Sequence, residues 1–572
     1  MSKENEDRQI ASSKEGSAKD GSWTVWAIWL LAILLPMLWM WPKFTNPSFS
    51  LIDDPKDILV FELIERDFAS WWNTAGFHGE RDGGRLRPVY WLSRFFFQYL
   101  PLADKHNPLE WYVFHYLALA AIISAAFYLV YRLVRCPWAA LTASSLWILN
   151  AKTMENFVRL SPAENWQLFW LSLSGLALYY LFKTRSAVLR SVSFVFIFVF
   201  WFLFFFSKET SVLLLPAVVL GWLGSLLLKK GFREWSLLAG MALFLFCLQR
   251  FLAPPIAGYS SSFILSPAMI AENLELYLPR VQWFLLAGAA ILSFAVREIR
   301  ALIQNRRLPD DEVTWWQFFL LTLAVEFLMI LLPWALPEPR YLIMTDYFLA
   351  AFMALELSRV YRFLKAHKLA KPFSHAVMPS FAALLLGLAW FSQARLYPEL
   401  KYHLAQAGHP TPVQALELFA RRAPANARVL TFYIEIEPLH SALIFLRDYF
   451  GRPDIGVYTL SHEASGDRTR GFPLVAITPD MWPQVLDEID FILWTRRGVK
   501  KVGLDRTNAQ AMRMIMESEY GINAREIYND LHYPFHPQIP EGTQIWQIDH
   551  EAVRKFRGRT EKAENTSTET GM

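Results

Sequence analysis

From Trp23 to Ser392 the chain alternates long apolar runs with short polar loops, and beyond that point apolar and polar positions interleave as in a water-soluble domain. The apolar runs fall at 23–41, 111–131, 138–150, 165–182, 191–206, 210–228, 235–252, 281–297, 314–335, 341–358 and 374–392. A helix needs ~20 residues to cross the ~30 Å hydrocarbon layer, so the pattern predicts about eleven transmembrane helices. The run at 138–150 is short and is expected to be tilted, broken or extended to Met154. No small-residue cleavage site follows the first run, which therefore reads as a retained anchor and not as a signal peptide.

The loops between these runs alternate in basic content. One set carries Arg132 and Arg135; Lys183, Arg185 and Arg190; Lys229, Lys230 and Arg233; Arg297, Arg300, Arg306 and Arg307; then Arg359, Arg362, Lys365, Lys368 and Lys371. The short loops of the other set hold little beyond Lys152, Arg159, Lys208, Arg280 and Arg340. Basic residues concentrate on the cytoplasmic side, so the first set is expected inside. The polar, disordered N-terminus at 1–22 then lies in the cytoplasm. The first outer loop at 43–110 and everything after 392 lie outside the cytoplasmic membrane, in a periplasmic or extracellular space.

In the C-terminal part, Val413 to Arg422 reads as a helix, Arg428 to Ile436 as a strand and Pro438 to Phe450 as a helix with 3.6-residue spacing. Ile455 to Leu460, Phe491 to Thr495 and Thr543 to Ile548 read as strands, and Asn508 to Ser518 as a helix. A small α/β domain over 393–550 with a polar tail at 551–572 is expected. It carries no nucleophile elbow, phosphate loop or metal-ligand pattern, so it is expected to shape access or hold an acceptor.

Composition narrows the class. With 54% hydrophobic and only 19% charged residues, the chain is too apolar for an ordinary soluble enzyme. The net charge of +4 is spread over loops, with no dense basic tract that would serve a nucleic acid. Cys136 and Cys247 are the only cysteines and fall near opposite ends of different predicted spans, so neither a disulfide nor a cysteine metal site is expected.

The chemistry-bearing residues collect on the loops assigned to the outer face. Asp53, Asp54 and Asp57 follow the first span. Asp54-Pro55-Lys56-Asp57 has the order of a helix start, with Asp54 as N-cap, which leaves Asp53 as the better functional candidate. An interfacial helix is expected to run on to Ser70 and the Trp71-Trp72 pair. Gly83-Gly84-Arg85-Leu86-Arg87-Pro88 brings two guanidinium groups to the same face, where they can hold a phosphate or simply meet lipid headgroups. Arg159 and Glu164 either pair with each other or face the site. Ser207-Lys208-Glu209 sets opposite charges between two apolar helices, a costly placement that usually marks function or pairing. Pro337-Glu338-Pro339-Arg340-Tyr341 delivers another arginine where a span begins, with Tyr341 equally suited to the aromatic belt. The stretch from Pro254 to Pro279, with Tyr259, Glu272, Glu275 and Tyr277, reads as a longer outer loop able to cover the site.

Acids after the first span, Gly-Arg-Leu-Arg-Pro in the first outer loop, Ser-Lys-Glu opening a later helix and Arg-Tyr opening another together resemble the GT-C superfamily of integral membrane glycosyltransferases. The bacterial protein O-mannosyltransferase and aminoarabinose-transferase type is most similar. The resemblance covers residues 23–392 as architecture. It implies transfer of a sugar from a polyprenyl-phosphate carrier, itself a membrane lipid, to a protein, lipid or cell-envelope glycan. Asp53 maps onto the catalytic acid of the family, whose following Glu is Asp54 here. Lys208 and Arg340 map onto its phosphate ligands; Arg85, Arg87, Arg159, Glu164, Glu209 and Tyr341, read from their place on the same face, are the further candidate substrate contacts. No cofactor is implied; the acids offer oxygen ligands to a hard divalent ion, but without an Asp-x-Asp triplet no metal is predicted. A lipid-linked sugar flippase would instead place charges in mid-membrane, where Glu326 stands out. A non-catalytic envelope-assembly protein on the same scaffold is the remaining alternative.

Overall fold

The computed structural model describes residues 23–47, 49, 66–74, 87–92, 107–159, 162–228, 231–252, 265–277, 284–305, 312–334, 339–366, 376–392, 412–431, 442–459, 474–476, 488–495, 524–529, 543–551 and 554–555. Each apolar run expected to span contains helix within these residues. Among the described residues six helices are each long and apolar enough to cross a bilayer: Pro108–Val134, Ala187–Phe205, Glu209–Leu226, Phe232–Leu252, Glu312–Met329 and Arg340–Arg362. The first run is a pair, Trp23–Leu34 and Met37–Thr45, bent by 53° where Pro36 interrupts the ladder of hydrogen bonds. Large apolar side chains such as Leu117, Val195, Leu243, Leu285 and Leu384 stay exposed along these helices. Water would not tolerate that much unpartnered apolar surface, whereas lipid does. The chain is a multi-pass membrane protein.

The short run at 138–150 is broken, one of the forms its length allowed. Helix Pro137–Ser145 is followed by a 3-10 turn at Trp147–Leu149 and then by helix Ala151–Val158. Pro137–Ser145 is rich in Ala, Ser and Thr and is buried from Ala139 to Ser145. Its small side chains let the backbones of neighbouring helices approach closely.

Two buried acids of the bundle are hydrogen-bonded across helices. Near one end of helix Ile343–Ala366, Asp346 Oδ2 accepts hydrogen bonds from Asn150 Nδ2 at 2.8 Å and Thr153 Oγ1 at 2.7 Å. Ten residues further along, and so about 15 Å away, Glu356 accepts from Arg297, from Gln317 Nε2 at 2.8 Å and from Ser293 Oγ at 2.8 Å. These contacts fasten helices Phe284–Asn305, Glu312–Met329 and Ile343–Ala366 together. Such hydrogen bonds add direction to a bundle in which apolar contact alone discriminates poorly between packings.

Two expectations for the loops change. Residues 267–277 are not a free loop but a helix, Pro267–Tyr277. Its Asn273 is buried and donates to the carbonyls of Leu332 at 2.7 Å and Trp334 at 2.8 Å, satisfying backbone acceptors where helix Glu312–Met329 has ended. Between the first two apolar runs the described helix is Phe68–Thr74, capped by Asp67, whose Oδ1 accepts from the Ser70 amide at 2.9 Å. The expected Asp54 cap lies outside the described residues.

The C-terminal part contains one six-stranded sheet in the order β3-β2-β1-β4-β6-β5. The strands are β1 Arg428–Thr431, β2 Gly456–Thr459, β3 Leu474–Ala476, β4 Phe491–Thr495, β5 Ala524–Asn529 and β6 Thr543–Ile548. β1 pairs in parallel with β2 and β4, and β2 with β3, while β6 runs antiparallel to β4 and β5. Central strand β1 is buried from Val429 to Thr431, as a strand covered on both faces must be. Helix Pro412–Arg422 and the helical stretch ending in Phe445–Tyr449 pack beside it. The expected helix at 508–518 lies outside the described residues. The sheet meets the membrane part through Phe49, which is buried, 5.7 Å from the Tyr449 ring and 6.2 Å from the Phe445 ring. Beside it, Gln414 Nε2 donates to Asn46 Oδ1 at 2.7 Å.

Candidate active site

Lys208 sits at a deliberate break between two apolar helices. Helix Ala187–Phe205 ends, Lys208 is extended, and a 3-10 turn at Glu209–Leu213 leads into helix Leu214–Leu228. The break is stapled from several sides. Ser207 Oγ donates to the Leu203 carbonyl at 2.6 Å, Ser211 Oγ donates to the Lys208 carbonyl at 2.7 Å, and Gln167 Nε2 donates to the same carbonyl at 3.3 Å. With the backbone acceptors satisfied, the charged side chains of Lys208 and Glu209 project from a fixed frame.

Each of those side chains meets an opposite charge from a distant segment. Lys208 Nζ is ion-paired and hydrogen-bonded to Glu164 Oε1, at the start of helix Glu164–Lys183. Arg87 grips Glu209 with a two-pronged contact, Nε to Oε1 at 3.0 Å and Nη2 to Oε2 at 2.8 Å. The Arg87 turn is pinned to the same break, because the Val89 amide donates to the Phe206 carbonyl at 3.3 Å. Lys208 and Glu164 side chains are only 15% and 8% exposed. The pair is therefore screened far less than surface pairs such as Lys183 with Glu312, which contribute roughly 0–1 kcal/mol.

Arg340 and Tyr341 complete the cluster from the 3-10 turn Pro339–Leu342. The Tyr341 ring lies between two cations, 4.9 Å from Lys208 Nζ and 5.4 Å from the Arg340 guanidinium carbon. The turn is positioned by Asn156, whose Nδ2 donates to the Arg340 carbonyl at 2.8 Å and to the Thr153 carbonyl at 2.9 Å. Through Thr153 this tie continues to Asp346.

The electrostatics follow from the burial. Desolvation pushes the Glu164 carboxyl up, but Lys208 and Arg340 more than offset it and hold it down at about 2. Desolvation, helped by Arg87, lowers Lys208, while Glu164 pulls the other way. Arg87, Lys208 and Arg340 thus gather around the carboxylates of Glu164 and Glu209.

Of the sequence candidates, Arg87, Glu164, Lys208, Glu209, Arg340 and Tyr341 come together. Arg159 is paired differently from the Glu164 alternative: its Nη2 lies 2.7 Å from Glu155 Oε1, one helical turn back. Asp53, Asp54 and Arg85 lie outside the described residues. Asp346, Asn150, Thr153 and Asn156 were not singled out from sequence. An acid within a long apolar run was the one available signal.

No family model matches the chain, and no curated protein matches it in sequence. Among solved structures it is similar to ArnT from Cupriavidus metallidurans in the apo state, with 12% identity, 92% of this chain and 98% of that chain covered, and a TM-score of 0.49. ArnT from the same organism bound to undecaprenyl phosphate matches with 11% identity, 93% and 98% coverage and a TM-score of 0.46. The archaeal oligosaccharyltransferase AglB from Archaeoglobus fulgidus, in complex with an inhibitory peptide and a dolichol-phosphate, matches with 12% identity, 84% and 70% coverage and a TM-score of 0.47. All three likenesses stay below a TM-score of 0.5, so the functional reading rests on the side chains themselves.

Proposed function

We propose that this protein is a glycosyltransferase that takes a sugar from a polyprenyl-phosphate carrier at the outer face of the cytoplasmic membrane. The observation that carries the reading is the convergence of Arg87, Lys208 and Arg340, from three remote segments, at the ends of apolar helices. Cations are costly beside hydrocarbon and are retained there when they hold an anion. A lipid-borne phosphate presents its charge at that depth. In the reaction, an acceptor hydroxyl attacks the anomeric carbon and the bond from that carbon to the phosphate oxygen breaks. Asp53 takes the hydroxyl proton and the polyprenyl phosphate departs with the electron pair. Lys208 and the arginines stabilise the charge that grows on the leaving phosphate. A single base acting on an activated donor favours direct displacement with inversion.

Purified full-length protein in nanodiscs, supplied with a panel of polyprenyl-phosphate sugars and envelope acceptors, is expected to transfer one of those sugars. Failure to bind undecaprenyl phosphate at all would sink the reading. The orientation is tested separately with Arg421→Cys, a helix-surface position whose side chain is 75% exposed, in a background lacking Cys136 and Cys247. An impermeant thiol reagent is expected to label it in spheroplasts without disruption of the inner membrane. Labelling only after disruption would reverse the topology.

A further inference from the structure

Arg340 reaches the charged cluster from a backbone that an uncharged side chain holds in place. Asn156 Nδ2 donates to the Arg340 carbonyl at 2.8 Å and to the Thr153 carbonyl at 2.9 Å. The Asn156 backbone is held in turn, because its carbonyl accepts from Asn165 Nδ2 at 3.3 Å, one residue past Glu164. Thr153 Oγ1 donates to Asp346 Oδ2 at 2.7 Å, beside Asn150 Nδ2 at 2.8 Å. Helix Ala151–Val158 thus packs against both the Pro339–Leu342 turn and helix Ile343–Ala366. Asn156 and Asp346 are 0% and 3% exposed, and among the described residues the Oδ1 atom of each has no hydrogen-bond partner. No Lys, Arg or His among the described residues pairs with Asp346. A buried acceptor left unsatisfied costs stability, and apolar side chains of similar volume would serve the fold alone as well or better.

We infer that Asn156 is a positioning residue for the lipid phosphate: it fixes the turn that carries Arg340, while Thr153 and Asp346 fix Asn156. This rests on the function proposed above. Arg340 is the second residue of a four-residue 3-10 turn, too short to hold its own conformation through a run of repeating hydrogen bonds. A donor from outside the turn therefore sets which way it faces. Both hydrogens of the Asn156 amide are committed, one to each carbonyl, so the side chain has a single orientation. That matters for Arg340 because a planar guanidinium grips a phosphate with two bonds only when it arrives in the right plane. Asp346 supplies the other end of the tie. A carboxylate within an apolar run is costly and is kept where it has a task. Here the task is to hold Thr153, whose carbonyl receives one of the two Asn156 hydrogens. Asn156 and Asp346 are themselves buried, so their effect on the donor passes through Arg340.

The test is a double-mutant cycle on the full-length protein in zwitterionic nanodiscs, with undecaprenyl phosphate as the probe. Asn156→Leu keeps the side-chain volume and removes the amide, and is expected to weaken binding about tenfold in the wild-type background. In an Arg340→Ala background the same substitution is expected to change binding by less than about twofold, because the group it positions is gone. Thr153→Val is expected to weaken binding about threefold, and Thr153→Ser, which retains the hydroxyl, to match wild type. If Asn156→Leu does not fold, Thr153→Val in the two backgrounds carries the same test. Equal losses with and without the Arg340 side chain overturn the inference, since a merely structural role gives that result. Unchanged binding in folded Asn156→Leu overturns it as well, and both results leave the proposed function standing. Absence of undecaprenyl phosphate binding by wild type overturns both.

Discussion

Asp53→Asn is expected to lower sugar transfer by on the order of 10³-fold or more while leaving undecaprenyl phosphate binding within about twofold of wild type. General-base catalysis by a positioned side chain contributes roughly 10²–10⁴-fold, and asparagine keeps the shape of aspartate but cannot take the acceptor's proton. Phosphate binding is expected to be spared because it is assigned to Arg87, Lys208 and Arg340, whereas Asp53 is assigned the acceptor's proton. Single-turnover transfer and equilibrium binding, measured on the same preparation, separate the two effects. Transfer at the wild-type rate would remove Asp53 as the base.

Much of this site was legible because membrane insertion makes charge informative. Lys208, Glu209 and Arg340 each stand at the end of an apolar run, where hydrocarbon penalises a charge without a purpose, so sequence position alone singles them out. The partners were not legible. Lys208 and Glu164 are 44 residues apart, and Arg87 and Glu209 are 122 apart. No local period links such positions; only the packing of the helices brings them together. Arg159 shows the converse, because its true partner Glu155 lies at the ordinary i−4 spacing and the more distant acid drew attention first. The polar tie from Asp346 through Thr153 and Asn156 to the Arg340 turn was hidden for the same reason as the ion pairs. In the C-terminal sheet, β1, β2, β4 and β6 announced themselves by runs of β-branched and aromatic residues. β3 is only three residues long and β5 has mixed composition, so neither displays an alternation to read.

Lys208→Ala is expected to weaken the donor interaction, raising the apparent donor KM at least about tenfold, and to destabilise the protein by about 3 kcal/mol. Two effects are combined here, and a second substitution takes them apart. Removing the ammonium group leaves the Glu164 carboxylate, 8% exposed, without its ion-pair partner, and an uncompensated buried charge is the larger source of the stability loss. Arg340 still offsets part of that charge, which keeps the loss at the lower end of the usual range. Glu164→Gln in the same chain removes the stranded charge while preserving side-chain volume, so the double variant is expected to regain most of the lost stability in thermal unfolding. It should not regain donor affinity, because the phosphate still lacks Lys208. A double variant that recovers stability and donor KM together would mean that Lys208 serves the fold by neutralising Glu164 and has no part in holding phosphate. Recovery of stability alone assigns the lysine both duties: it holds the break between the two helices against Glu164, and from that fixed point it reaches the anion.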